Sequence, residues 1–394
     1  MVTIGYIPCS MSSFSALRIA LAGMAALAVA MGIGRFAFTP ILPMMQDDFG
    51  LSIIGGSWLA SSNYLGYLLG ALAATAWPMR SRAVLSGSLL AIAATTIAMG
   101  LTENFTAWAI LRFGAGVASA LMFIAVSTRC MAALAERSRP KLTGVVYAGV
   151  GSGVAAAGLL CLLLMQYDVG SVWAWRVAGL AALMAAVIVL PVLGAIVLPP
   201  APATDRGPRD RISRHAGLLV LCYGISGFGY IIPATFLPVM AKAVVPDVSL
   251  FGWSWPVFGA AAVASTFIAA ARAAAIGHRS VWIASHVLMA AGVLLPVLLP
   301  GLAAVIGAAI LVGGTFVVTT MTSLQVAQEV SRGHATRLVA AMTAAFALGQ
   351  IIGPVVAGLL FDAGYGFSGG LVLAGVLLVL SAILLWRAAP GKIN

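Results

Sequence analysis

The sequence predicts an all-α membrane protein of twelve transmembrane helices, arranged as two pseudo-symmetric six-helix bundles. Three observations point there. The 394 residues are 62% hydrophobic and 8% charged, with a mean hydropathy of +1.09, whereas a soluble domain carries about 25% charged residues. The chain also repeats itself. Gly32-Ile33-Gly34-Arg35, then Ile41-Leu42-Pro43 and Trp58, return about 195 positions later as Gly227-Phe228-Gly229-Tyr230, Phe236-Leu237-Pro238 and Trp253. Gly149, Gly153 and Gly158-Leu159-Leu160 return about 200 positions on as Gly349, Gly353 and Gly358-Leu359-Leu360. Finally, the charges are sorted by loop. All Lys and Arg except Arg35, Arg112, Arg176 and Lys242 fall in the N-terminus, the even-numbered loops or the C-terminus.

Crossing about 30 Å of hydrocarbon takes roughly 20 apolar residues per helix. The first such stretch, 18–43, has no A-x-A-type cleavage site and runs into a hairpin, so it reads as a retained helix. Residues 1–17 precede it as a cytoplasmic leader, with Met11 an alternative start to Met1. The following spans are 54–77, 83–101, 106–128, 142–165 and 173–198, which complete an N-terminal bundle over 18–198. Residues 199–215, with Pro199, Pro200, Pro202 and Pro208 among charged residues, read as a cytoplasmic linker. The C-terminal bundle, 216–394, has spans at 216–239, 252–276, 281–299, 302–326, 338–361 and 369–387 and ends in a short cytoplasmic tail. The tightest connection is between the ninth and tenth spans, at Pro296, Pro300 and Gly301.

The net charge of +11 would suggest nucleic acid in a soluble protein. Here its one-sided placement is a topology signal, which puts both termini in the cytoplasm of a multi-pass protein of the cytoplasmic (inner) membrane. Cys9, Cys130, Cys161 and Cys222 are scattered without C-x-x-C spacing, so neither a disulfide framework nor a metal site is expected. No cofactor motif is present, and no nucleophile–base pair suggests an enzyme.

The six-plus-six layout resembles the major facilitator superfamily along the whole chain. The run from Gly32 to Pro43 resembles its YbfB/YjiJ-like branch, and Arg112-Phe113-Gly114-Ala115-Gly116 is similar to the superfamily's Arg-and-Gly motif on the fourth helix. One departure is the loop Trp77-Pro78-Met79-Arg80-Ser81-Arg82, which keeps the basic residues of the usual gating motif without its Asp and Gly. The resemblance implies that the first and fourth helices line a central cavity.

Arg35 and Arg112 are the formal charges deep inside the expected spans. Each costs about 2.5–3.5 kcal/mol on insertion scales, so each is expected to face a polar cavity or a partner. Counted from the outer ends of their helices they lie at similar depth, and no Asp or Glu falls inside a span to neutralise them. A planar guanidinium suits carboxylate or phosphate. The alternative is structural: Arg112 capping carbonyls or pairing with Glu103, and Arg35 reaching the carbonyls before Pro40 and Pro43.

Polar stripes mark other helices. Thr315, Thr319, Thr322 and Gln325 recur on the tenth span, and Tyr223, Ser226 and Tyr230 on the seventh, where Tyr230 takes the repeat position of Arg35. Asn63, Tyr64 and Tyr67 on the second span and Gln350 on the eleventh are further candidates. Interhelical hydrogen bonding explains such stripes equally well. The substrate-binding set is therefore Arg35, Arg112, Tyr230, Tyr223, Thr315, Thr319, Asn63 and Gln350. The GxxxG pairs Gly149/Gly153 and Gly349/Gly353 are packing or hinge positions; the resemblance implies that their helices meet the opposite half and slide during switching. His286 is the one titratable candidate for a relay inside a span, against simple packing.

The expected function is a secondary transporter, not an enzyme, working by alternating access on a small organic anion, with a coupling ion as an optional partner. It is expected as a monomer in the lipid bilayer, with no nucleic-acid partner. Efflux of amphipathic or aromatic compounds and a non-transporting membrane sensor are the alternatives.

Overall fold

The computed structural model describes residues 14–74, 81–196, 214–330 and 335–387, and these form helices joined by short turns. The 75–80 part of the departing loop, residues 197–213 of the linker region, and both chain ends lie outside the described residues. Among the described residues, ten helical segments are long and apolar enough to cross a membrane. The first, α1 (Ala16–Phe49), is 34 residues long, and it contains a π-helical stretch at Ala28–Phe36. Then come α2 (Ile53–Ala73), α3 (Arg82–Met99), α4 (Phe105–Glu136), α5 (Thr143–Gln166) and α6 (Ser171–Gly194). After the linker come α7 (Arg214–Val244), α8 (Ser254–Ile276), α9 (His278–Leu298), α10 (Leu302–Val330), α11 (Ala335–Leu360) and α12 (Gly366–Arg387).

Three of these twelve are not separate members of the ten: α2 is not among them, and α11 and α12 form one. Ser57, Ser61, Ser62 and Asn63 make α2 less apolar than its neighbours. Segments α11 and α12 run on as one apolar stretch, Leu338–Arg387, which turns a corner at Gly364, where φ is 91°. Several helices overrun their expected ends. Helix α1 continues past Pro43 to Phe49, and α4 continues past 128 to Glu136. A charged or polar last turn does not stop a helix once it has left the hydrocarbon. Helix α1 stops at Gly50, whose φ of 64° and N–H to the Gln46 carbonyl close it.

Lipid gives helices no hydrophobic reason to associate, so close backbone approach does the work. Gly149 and Gly153 of α5 lie against the backbone of α1 at Met24 and Ala28; Gly349 and Gly353 of α11 lie against α7 at Gly224 and Phe228. These are equivalent pairings within each half. Contacts between the halves use other small residues: Gly151 and Gly158 meet α8 at Gly259 and Pro256, and Gly358 meets Ser57 of α2.

Apart from one bond at mid-depth between Arg35 and Gln350, the side-chain hydrogen bonds between halves among the described residues lie toward one end of the molecule. Thr39 donates to the Ala234 carbonyl at 2.7 Å, and Ser61 to the Ile351 carbonyl at 2.7 Å. Tyr64 and Thr235 hydroxyls are 3.3 Å apart, and Lys242 pairs with Asp47 at 2.5 Å. We call this the distal end. It also carries the N-terminus of α6, where Asp48 accepts from the Ser171 N–H and hydroxyl at 2.6 Å each, a carboxylate placed on a helix dipole. The proximal end holds the starts of α1 and α9 and the end of α12.

Candidate functional site

The π-helical stretch of α1 ends at Phe36, four residues before Pro40. Counted in i→i+5 spacing, the donor for the Arg35 carbonyl would be residue 40, and Pro40 has no N–H. Arg112 supplies the missing donor, with its Nη2 3.0 Å from the Arg35 carbonyl oxygen. One residue earlier, Asn63 Nδ2 donates to the Gly34 carbonyl at 3.1 Å and to the Arg112 carbonyl at 2.8 Å. Helices α2 and α4 thus pin this stretch. Arg112 is 2% exposed and lies under the Phe38 ring, its guanidinium carbon 4.8 Å from the ring centroid.

Pinning sets the direction of Arg35, which is 3% exposed. Its Nη2 donates to Gln350 Oε1 across the interface between halves at 2.9 Å. Three rings flank its guanidinium carbon: Tyr67 at 4.0 Å, Tyr64 at 5.2 Å and Phe36 at 5.3 Å from the centroids. Such contacts are worth roughly 2 kcal/mol once desolvated. The Nε of Arg35 has no hydrogen-bond partner. Among the described residues no carboxylate lies within salt-bridge range of Arg35 or Arg112.

Gln350 turns its other end to the repeat counterpart of Arg35, its Nε2 donating to the Tyr230 hydroxyl oxygen at 2.5 Å. The equivalent positions 35 and 230 therefore communicate through one amide. Tyr230 is part of a stack of rings from four helices. It lies on Phe316 at 5.3 Å and on Phe346 at 5.5 Å. Tyr223 stacks on Phe346 at 4.5 Å, and Phe258 on Phe316 at 5.4 Å.

The other expected residues are placed as follows. Thr315 and Thr322 are buried and hydrogen-bond to carbonyls of their own helix, while the buried Thr319 hydroxyl has no partner. Gln325 is exposed and off this stripe, because ten steps of about 100° leave it some 80° away from Thr315. His286 is buried among Trp282, Ser226 and Ser381, outside the Arg35 cluster. Its Nε2 accepts from the Trp282 indole at 3.1 Å, and its Nδ1 is 3.1 Å from Ser381. Because an indole only donates, this ring accepts at Nε2. Arg129 is buried inside α4, although the sequence reads it as a loop residue. The residues sequence reasoning missed are Phe316, Phe346, Ser61 and the pairs Thr39/Ala234 and Asp47/Lys242. Both pairs are 195 positions apart, which is the repeat offset itself.

Apolar helices surrounding a buried polar seam define a multi-pass membrane protein. The chain belongs to the family described as "Uncharacterised MFS-type transporter YbfB", whose model matches residues 27–386; membrane transport is what that family is named for. A relative, "Uncharacterized MFS-type transporter YceJ" of Bacillus subtilis (strain 168), is 27% identical over 173 residues. That alignment spans 42% of this chain and 42% of the relative.

Proposed function

We infer that the protein is a secondary carrier that moves a small organic anion across the cytoplasmic membrane, with Arg35 as the anion's principal contact. The observation that carries this reading is the Arg35 guanidinium. It is buried beside neutral Gln350 and three rings, with an unpartnered Nε and no carboxylate in range among the described residues. A cation held this way attracts an anion into the membrane interior. Arg112 and Asn63 act one step back, fixing the backbone that aims Arg35.

The reading takes the chain as twelve crossings in two bundles, 18–198 and 216–394, with a cytoplasmic linker and cytoplasmic termini, acting as a monomer by alternating access. The charge pattern assigns the distal end to the outside. On that assignment this conformation is shut outward by the Thr39, Ser61, Tyr64 and Asp47 contacts and accessible from the cytoplasm. Proton coupling through an intramembrane carboxylate has no seat among the described residues, and His286 is engaged on both ring nitrogens. Uniport, anion exchange, or symport with the proton on the substrate fit this arrangement.

The ring stack of Tyr230, Phe316, Phe346 and Phe258 favours a second reading, efflux of amphipathic or aromatic compounds. A thermal-shift panel on the purified protein separates the two. Carboxylates, phosphates and sulfonates are expected to raise the melting temperature of the wild type and not of Arg35→Gln. Stabilisation by lipophilic cations, with none by anions, would overturn the anion reading.

A further inference from the structure

We propose that the anion is an aromatic monocarboxylate, its carboxylate on the Arg35 Nε edge and its ring between Tyr67 of α2 and Phe346 of α11. This rests on the anion reading above and names the substrate class of the same site.

Accessibility changes sharply around Arg35. Tyr64, Gln350 and Tyr230, level with it or on its distal side, are each 2% exposed. Tyr67 stands one turn nearer the proximal end than Tyr64, because α2 runs from distal to proximal; Phe346 stands one turn nearer that end than Gln350, because α11 runs the other way. Both of these rings are only half-buried. Neither is on the lipid face, since Tyr67 lies 4.0 Å from the Arg35 guanidinium carbon and Phe346 stacks on Tyr230 at 5.5 Å and on Tyr223 at 4.5 Å. At 1.5 Å per residue the backbones of Tyr67 and Phe346 stand about 5 Å nearer the proximal end than those of Tyr64 and Gln350. The Arg35 guanidinium thus has one half-buried ring from each half of the chain on its proximal side.

The chemistry on that side is narrow. Arg35 and Arg112 each keep an Nε without a hydrogen-bond partner, but Arg112 is tied to the Arg35 carbonyl and covered by Phe38, so Arg35 is the cation beside the two half-buried rings, which suits one carboxylate rather than two. Below it the accessible groups are π faces, which favour a flat ring over an alkyl chain of equal volume.

The test is binding of benzoate, cyclohexanecarboxylate and benzamide to the purified full chain by calorimetry, on wild type, Tyr67→Leu and Phe346→Leu. Wild type is expected to bind benzoate about tenfold more tightly than cyclohexanecarboxylate and not to bind benzamide. In each Leu variant that preference is expected to fall toward onefold, while cyclohexanecarboxylate affinity stays within about twofold. Because loss of both ligands in one variant would signal misfolding, the wild-type ratio is the primary readout. Equal wild-type affinities for the two acids overturn the ring inference and leave the anion reading standing. Benzamide binding as tightly as benzoate overturns the anion reading, and with it the monocarboxylate. Binding of neither acid overturns both.

Discussion

Arg35 and Tyr230 occupy the same place in two copies of one helix, yet one copy carries a buried charge and the other a hydroxyl in a stack of rings. The two copies also differ at the fifth residue on. In the first copy that residue is Pro40, which cannot donate, and the backbone around Arg35 takes a π-helical course with its carbonyl served by Arg112. In the second it is Thr235, in a helix whose own hydroxyl bonds back to the Ile231 carbonyl at 2.7 Å, and no guanidinium is needed nearby. The two stretches share one residue spacing, and a proline with two buried arginines sets the first apart. The second copy supplies rings instead, with Phe316 and Phe346 against Tyr230. A carrier with both features offers charge from one side and a flat apolar wall from the other.

The comparison can be broken most directly by making the halves alike. Arg35→Tyr is expected to weaken anion binding by about a hundredfold or more, as loss of a buried charge-assisted contact implies, read by calorimetry with whichever anion stabilises the wild type. Unchanged binding would place the anion elsewhere. Arg112→Leu leaves the Arg35 carbonyl without its donor and is expected to cost about 2 kcal/mol of stability, measured as a lower unfolding midpoint in detergent. Adding Pro40→Ala, which returns an N–H at the fifth residue, is expected to recover part of that loss, while a double variant no more stable than Arg112→Leu would refute the proline account. Gln350→Leu removes the neutral group that competes for Arg35, and its expected effect is anion binding about fivefold tighter, equivalent to about 1 kcal/mol. Weaker binding in that variant would make Gln350 a ligand contact. The smallest effect is expected from Asp47→Asn. Its pair with Lys242 is partly exposed, so under about 1 kcal/mol is at stake; the expected sign is faster opening of the distal end, detectable as increased labelling of a cysteine introduced at Thr39.

Much of this was legible in the chain because membrane helices announce themselves by hydropathy. Their ends were less so: α1 runs on from Pro43 to Phe49 and α4 from 128 to Glu136. Arg35 and Arg112 were visible because a charge in an apolar span is rare. The π-helical stretch was not, since hydropathy is blind to hydrogen-bond register and its single local sign is a proline five residues after Arg35. Gln350 could be marked as polar, but its bond to Arg35 joins residues 315 positions apart. Phe316 and Phe346 had no signal of their own: an interior ring and a lipid-facing ring look the same in an apolar sequence. The stripe on α10 was followed too far, and Gln325 fell off it by simple rotation. The glycine pairs were conspicuous, but which neighbour they press against depends on the fold; Gly149 and Gly153 press on α1 within their own half.

Thr39 reaches Ala234, and Asp47 grips Lys242, each pair joining counterpart positions of the two copies. Wherever counterparts touch, the contact lies close to the axis that relates them. In a symmetric homodimer such a position meets an identical residue, so acid would face acid and base would face base. A single chain is free of that restriction, so opposite charges can stand at a spot where two identical subunits could only repel.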